Sequence, residues 1–511
     1  MVSTTLFTRF YGLNWGDHYY FNPDENNMAI SISQLSFNNL NPHFFAYGQF
    51  PLYLVFISAQ LINFIKSRTF VEHVNFENAI FVLRFWSAFF SSLSVFLLYL
   101  IGKKIFKNIF NNLLFIFLII FTPGLIQFAH FGTTESLLIF VFVFNIYISL
   151  KFIKDPKIGY IFLAALISGI GLSSKITALA FLSPIYLSIK KNTLLFLMFT
   201  SFTTLFFIIF SPYNFIDNLN FRSSINYETA VATGKLSVFY TRQFIDTKPY
   251  LFQFTNILPY VLGLPVFVLS IIGFAYLAIS KKIFKVENLI VIIPSLIYFL
   301  YIGQLFTKWT RFMSPIFFLF PLLAIYLISL IKNKILGSFL TLICIIPGVI
   351  FMSNYFYKDT RIVFSNWMES NISVNAKVLS ESGNVVNIPV SNKPFNVVNF
   401  DFYNLDQDIS LQSGLPNLIQ QSDYIIVPSR RMFKNQTGPN FPISQAYYRH
   451  LFSGDLGFSL TKIFKPSPDF FLNSENAEET WSVFDRPTIR VFKKDRQLSI
   501  PDIKNFILGN G

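Results

Sequence analysis

Long apolar runs separated by short polar connections fill the first two thirds of the chain. They fall at 79–101, 109–128, 133–150, 158–174, 176–189, 193–211, 253–280, 288–306, 312–331 and 335–353. Most approach the roughly 20 residues that a helix needs to cross a hydrocarbon core, so the pattern predicts about ten spans. The pair at 158–189 is the weakest, because both runs are short and they meet at "GLSSKIT". The run at 47–67 is ambiguous. It carries Gln49, Gln60, Asn63 and several aromatic residues, a mixture that suits a helix lying along the membrane surface, and that placement is the expected one. Beyond about residue 354 the polarity becomes ordinary. Short β-like runs such as "DYIIVPS" and "TIRVFKK" alternate there with Ser, Asn, Pro and Gly, which predicts a small α/β domain. The expected organisation is a membrane domain at 1–354 and an outer domain at 355–511.

The polar connections sort by charge. Lys103, Lys104 and Lys107; Lys151, Lys154 and Lys157; Lys190 and Lys191; Lys281, Lys282 and Lys285; and Lys332 and Lys334 all fall on one side if every run crosses. By the positive-inside rule that side is the cytoplasm. The opposite side then holds "AHFGTTES", the loop at about 212–252, "FTKWTRFM" and everything after residue 354. Composition agrees with an integral membrane protein: 53% of the 511 residues are hydrophobic and only 13% are charged. The net charge of +14 comes largely from the lysine clusters between apolar runs, so it speaks for membrane topology and against nucleic-acid binding. The single cysteine, Cys344, excludes an intramolecular disulfide and a cysteine-based metal site. No internal repeat supports an inverted-repeat transporter. The first stretch, "MVSTTLFTRFYGLNWGDHYY", is too short and too polar to span.

Charged residues on the outer side are few. Asp24 and Glu25 stand together in "YFNPDENNMAI". Asp after Pro is common at the start of a helix, so the pair reads equally as a helix cap and as a general base at the water–lipid boundary. Glu135 in "HFGTTESLLIF" is a second carboxylate at the mouth of a span, with Thr133 or Thr134 as a capping alternative. Arg84 and Arg311 begin inward-running spans, and Lys175 lies between two apolar runs, where a cation suits a phosphate. Lys308 is expected to snorkel to the headgroups. His130 and Glu135, five residues apart, are the candidate ligands of a metal whose presence the sequence leaves unknown. Phosphate-cradling glycine loops, HExxH and Gly-x-Ser-x-Gly are absent.

Taken in order, these pieces resemble the bacterial membrane glycosyltransferases of the GT-C fold, in the branch of the protein O-mannosyltransferases and the lipid A aminoarabinose transferase. "FNPDENNMA" is similar to the acidic motif of their first outer loop, with Asn22 where His is frequent, and "LNPHFFAYGQFPLYL" continues that loop. "VLRFWSAFFSSLSVFLLYLIGKK" resembles their second span. "FGTTESLLIF" resembles the second acidic motif, with Glu135 where Asp is usual. "GLSSKITAL", "SPYNFID" and "FYTRQFIDTKPY" resemble later outer motifs, and "KWTRFMSPIFFLFPLLA" a span start in which Phe312 replaces Tyr. "YYRHLFSGDLGF" and "EETWSVFDRPTIRVFKK" resemble the outer domain of one bacterial branch.

The resemblance implies a mostly α, polytopic GT-C protein with interfacial outer-loop helices and a small α/β outer C-terminal domain. It also implies a first span before "RFYGLNWG", which this chain is expected to lack. The implied activity is inverting transfer of a sugar from a polyprenyl-phosphate donor to a protein, lipid or glycan acceptor at the outer face of the cytoplasmic (inner) membrane. Asp24 is the implied general base, with Glu25 as its orienter and Glu135 as a further catalytic carboxylate. Lys175, Arg311 and Arg84 are the implied donor-binding cations. No cofactor is certain; a divalent metal helps some relatives. The competing readings are a polytopic transporter or lipid flippase and an inactive scaffold descended from the enzyme. A transporter would place its charges mid-membrane, near broken helices.

Overall fold

The computed structural model describes residues 1–190, 192–466 and 472–509. Lys191, one of the expected cytoplasmic lysines, lies outside the described residues. The chain divides into two compact units, the first formed by 1–14, 23–236 and 248–355, the second by 15–22, 237–247 and 356–511.

The first unit is helical. Among the described residues six helices are long and apolar enough to cross a membrane, or up to nine if each of three bent pairs is one span. Two shorter apolar helices, Ile158–Leu172 and Ile176–Ile189, correspond to the pair that looked weakest in sequence. The bends have local causes. Ile109–Ile120 and Pro123–His130 meet at 52°, where Pro123 cannot continue the hydrogen-bond ladder. The carbonyls freed there are taken by a buried guanidinium: Arg9 Nη1 donates to Ile120 O at 2.9 Å and Nη2 to Ile119 O at 3.2 Å.

Gln49–Ser67 satisfies the length and hydropathy of a span. Its first turn is fixed by Gly48 N–H donating to Ser174 O at 2.9 Å and by Gln49 Nε2 donating to Asn214 Oδ1 at 3.0 Å. Just past its last turn, Val71 exchanges two hydrogen bonds with Gln60, and His73 Nδ1 lies 3.2 Å from Leu35 O, next to the Asp24 helix. The following helix, Phe76–Ile105, has 30 residues, well over the ~20 that a span requires, so its opening turns extend past the hydrocarbon. There Trp86 Nε1 donates to Ser58 of Gln49–Ser67 at 3.0 Å.

The second unit is a three-layer α/β/α domain. Its five strands are β1 (Val378–Glu381), β2 (Val397–Phe400), β3 (Tyr424–Val427), β4 (Phe458–Phe464) and β5 (Ile489–Lys494), in the order β2-β1-β3-β5-β4. β1 pairs parallel with β2 and β3; β5 pairs antiparallel with β3 and β4. The alternation of side chains divides the core. Leu379, Ile425 and Val427 pack under Ile409–Gln421, Pro442–Ser453 and Ile500–Leu508, while Val378 and Ile426 pack against Thr360–Asn371. "DYIIVPS" and "TIRVFKK" are the strands β3 and β5. The segment 237–247 belongs to this unit through Gln243, whose Nε2 donates to Glu478 Oε1 at 3.1 Å, and through Phe239, whose ring lies 4.7 Å from that of Tyr403.

Candidate active site

The first loop folds into a helix, Pro23–Ser33, with Asp24 and Glu25 in its first turn. The helix-start reading of "PDENN" is therefore correct, and it does not compete with the functional one. Successive helical residues point about 100° apart, so the two carboxylates face different partners.

Glu25 turns inward and is fully buried. Arg84 Nη2 donates to its Oε2 at 2.8 Å and Arg84 Nε lies 3.2 Å from both oxygens. Gly132 N–H donates to Oε1 at 2.6 Å. A side chain at 132 would not fit, since an added Cβ would come within 2.7 Å of Leu83 Cβ. Arg84 Nη1 also donates to Leu13 O at 2.9 Å. One buried carboxylate thus ties the first-loop helix to Phe76–Ile105 and to the turn that leads into Glu135. Arg84, expected at the donor phosphate, is placed in this clamp and is 1% exposed.

Asp24 points the other way, to an ion pair with Arg311 Nη1. Tyr47 completes the group: Arg311 Nη1 donates to its oxygen at 3.1 Å, and the phenol is hydrogen-bonded to Asp24. Burial raises the Tyr47 phenol well above its ordinary value, so it stays a neutral donor. Beside this group Lys175 Nζ lies 3.5 Å from Glu135 Oε1. The rings of Tyr47 and Phe312 flank the ammonium, with centroids at 5.4 and 5.2 Å. Lys175 is held there by the close approach of the first loop to Ser173 and Ser174, which requires glycine at 48: an added Cβ would meet Ser173 O at 2.0 Å.

The structure therefore gathers Asp24, Glu135, Lys175 and Arg311 and adds Tyr47. Two buried atoms there, Glu135 Oε1 and Arg311 Nε, lack a hydrogen-bond partner among the described residues. The site has donor and acceptor capacity not used by the protein itself. It lies at one end of the bundle. The span that Glu135 opens, Glu135–Lys154, closes with Lys151 and Lys154, and Phe76–Ile105 closes with Lys103 and Lys104.

Two expectations change. Lys308 does not snorkel; it is 3% exposed, and its Nζ donates to Phe306 O at 2.9 Å. His130 does not face Glu135. Its ring nitrogens lie 2.8 Å from Ile126 O and Tyr11 O, and its ring stacks on Tyr355 at 3.6 Å. No group of three His, Cys, Asp or Glu residues suited to a metal occurs among the described residues. Asp24 and Glu135 are each paired with a cation.

Comparison with known proteins follows the same line. The profile of the dolichyl-phosphate-mannose-protein mannosyltransferase family matches residues 2–212, which include Asp24, Glu25, Arg84, Glu135 and Lys175. No curated protein matches the sequence. The oligosaccharyltransferase of Archaeoglobus fulgidus, solved with a tethered acceptor peptide, has a similar fold: TM-score 0.52 and 13% identity over 87% of this chain and 71% of that one. The same protein in complex with Zn and sulfate gives 0.51 and 12%, over 87% of this chain and 70% of that one. ArnT from Cupriavidus metallidurans bound to undecaprenyl phosphate aligns over 96% of this chain and 97% of that one, with TM-score 0.44 and 10% identity. The chain thus resembles the GT-C membrane glycosyltransferases in fold, and its residues 2–212 match the protein mannosyltransferase family.

Proposed function

We propose that this protein moves a sugar from a polyprenyl-phosphate carrier to an acceptor hydroxyl, at the outer face of the cytoplasmic membrane, in a single displacement that inverts C1. The observation that carries the reading is the juxtaposition of Asp24 with Arg311 and Tyr47, beside the Glu135–Lys175 pair. The family match supplies the carrier class, since its members use dolichyl-phosphate-mannose. The lysine-rich helix ends opposite the site support the outer orientation.

Each residue then has a task. Arg311 and Lys175 bind the carrier phosphate and offset the charge that grows on it as the C1–O bond breaks. Asp24 accepts the proton of the attacking hydroxyl. At rest the Asp24 carboxylate is engaged by Arg311, so the incoming phosphate competes for that guanidinium and frees the base as the donor binds. Tyr47 touches both partners and keeps them in register through the exchange. Glu135 holds Lys175, while Glu25 and Arg84 position the loop. The sugar and the acceptor are not specified by these contacts.

The test is transfer by the reconstituted protein with lipid-linked sugars. Asp24→Asn is expected to lower the rate by about 10²–10⁴-fold with an unchanged melting temperature. A variant that retains near-normal transfer would remove Asp24 as the base. Arg311→Ala is expected to weaken donor binding, and unchanged affinity would remove Arg311 from the phosphate site.

A further inference from the structure

A third acidic residue faces this site. Glu228 lies on the helix Asn218–Thr233. At one end of that helix the Phe221 ring meets Phe45, two residues from Tyr47, at 6.1 Å. At the other end Ala232 O accepts from Thr307 N–H, four residues before Arg311, at 3.2 Å. Positions 221, 228 and 232 are spaced by seven and four and so share one helical face. Both ends of the helix are thus held near the site, the first by a side chain on the Glu228 face and the second by a backbone carbonyl. The Glu228 carboxylate is accordingly within electrostatic reach of Arg311, Lys175 and Asp24. Its side chain is exposed to solvent. Partial desolvation raises its carboxyl above the ordinary value, and the two cations act in the opposite sense. Asp24 and Glu135 each have a cation, whereas Glu228 forms no ion pair among the described residues. Three carboxylates thus surround two cations, an excess of negative charge where a phosphate is to bind.

We propose that Glu228 discriminates between the sugar-bearing carrier and the spent carrier, and so drives product release. This rests on the function proposed above. The donor is a phosphodiester with one negative charge. As the acceptor oxygen bonds to C1, the C1–O(phosphate) bond breaks with its electron pair on the phosphate oxygen, and the hydroxyl proton passes to Asp24. The product is a monoester with a second ionisation near pH 6 and a charge approaching −2 at neutral pH. Arg311 and Lys175 alone would bind this more highly charged product better than the donor. The Glu228 carboxylate repels the second charge more than the first and offsets that preference.

The experiment is binding of a short-chain polyprenyl monophosphate and of its methyl diester to the full chain in nanodiscs at pH 7.5. Glu228→Gln is expected to tighten the singly charged diester about fivefold, as one unit charge roughly 8–10 Å away gives at a partly hydrated site, and the doubly charged monoester by about the square of that factor, roughly 25-fold. Glu228→Asp is expected to keep the wild-type ratio. At pH 5.5, where the monoester carries little more than one charge, the difference between the ligands should largely vanish. Equal tightening of both ligands, or weaker binding of the monoester, overturns the proposal. If the wild-type protein binds neither phosphate, the donor-binding reading itself falls and this proposal falls with it.

Discussion

Asp24 and Glu25 are neighbours in the chain, and each meets an arginine, yet the two ion pairs are different devices. Glu25–Arg84 is 0% and 1% exposed and is reinforced by Gly132 N–H and Leu13 O. Asp24–Arg311 is 19% and 21% exposed and shares hydrogen bonding with Tyr47. A buried, multiply bonded pair cannot exchange partners without leaving a charge stranded in a dry interior, whereas a pair at a wetted rim can. One helical step of rotation thus separates a fixed clamp from an exchangeable contact.

Substitutions at the two positions should therefore fail in different ways. The largest effect is expected on activity: measured beside the wild type, Asp24→Asn loses transfer by orders of magnitude and retains its melting temperature. Loss of stability in that variant, comparable to that at Glu25, would break the contrast. Next in size, Glu25→Ala leaves Arg84 buried without a counter-ion and should cost about 3–5 kcal/mol, read by thermal or denaturant unfolding in detergent. A Glu25→Ala protein of wild-type stability would show that the clamp carries no load.

Glu381 in the second unit sharpens the comparison from another direction, because it is a buried carboxyl with no ion pair among the described residues. It is 2% exposed, and it accepts from Tyr448 Oη at 2.7 Å and from Asn384 Nδ2 at 3.0 Å. Burial pushes its carboxyl up to about 8. The folded state thus keeps the proton that the unfolded chain releases above about 4.5. Its contribution is intact below that value and is lost as pH rises through about 8, on the order of 5 kcal/mol. Glu381→Gln should flatten this slope in unfolding of the second unit between pH 5 and 8. An unchanged slope would exclude Glu381 as its source. The smallest effect is expected for Tyr47→Phe. It keeps the ring against Lys175 and loses the hydroxyl, and should slow transfer by roughly tenfold, the worth of one hydrogen bond to a charged group.

Much of this site can be read from sequence, for a physical reason. Membrane crossings impose parity, and parity places Glu135, Lys175 and Arg311 at one end without any knowledge of contacts; the motif resemblance and the interfacial reading of 47–67 bring Asp24 to the same end. Parity does not resolve position within that end. Arg84 satisfies the same rule as Arg311, and its assignment to Glu25 depends on helical phase and on a contact 59 residues away in sequence. Tyr47 is one of 24 tyrosines and carries no local signal. Glu228 sits in a polar loop helix whose orientation is set at its two ends, by Phe45 and Thr307, neither of which the local pattern indicates. His130 and Lys308 were misread for a common reason: backbone carbonyls at helix ends and turns attract side-chain donors as effectively as ions or headgroups do. In the second unit, β3 is a run of β-branched residues and β5 places Ile489 and Val491 in alternation, and both are visible as such. β2 is short, partly polar and exposed, and its identity comes from pairing with β1.

The helix Gln49–Ser67 has a consequence beyond topology. One face packs on the protein through Leu52, Val55, Phe56 and Ala59, while Ile57, Leu61 and Ile65 remain exposed at 52%, 52% and 70%. An amphipathic helix with such an exposed apolar face seeks an apolar cover, which in a membrane protein is lipid. Because Gly48 and Phe50 fasten this helix to Ser174 and Ser173, the turn beside Lys175, whatever covers its exposed face also bears on the position of the Glu135–Lys175 pair.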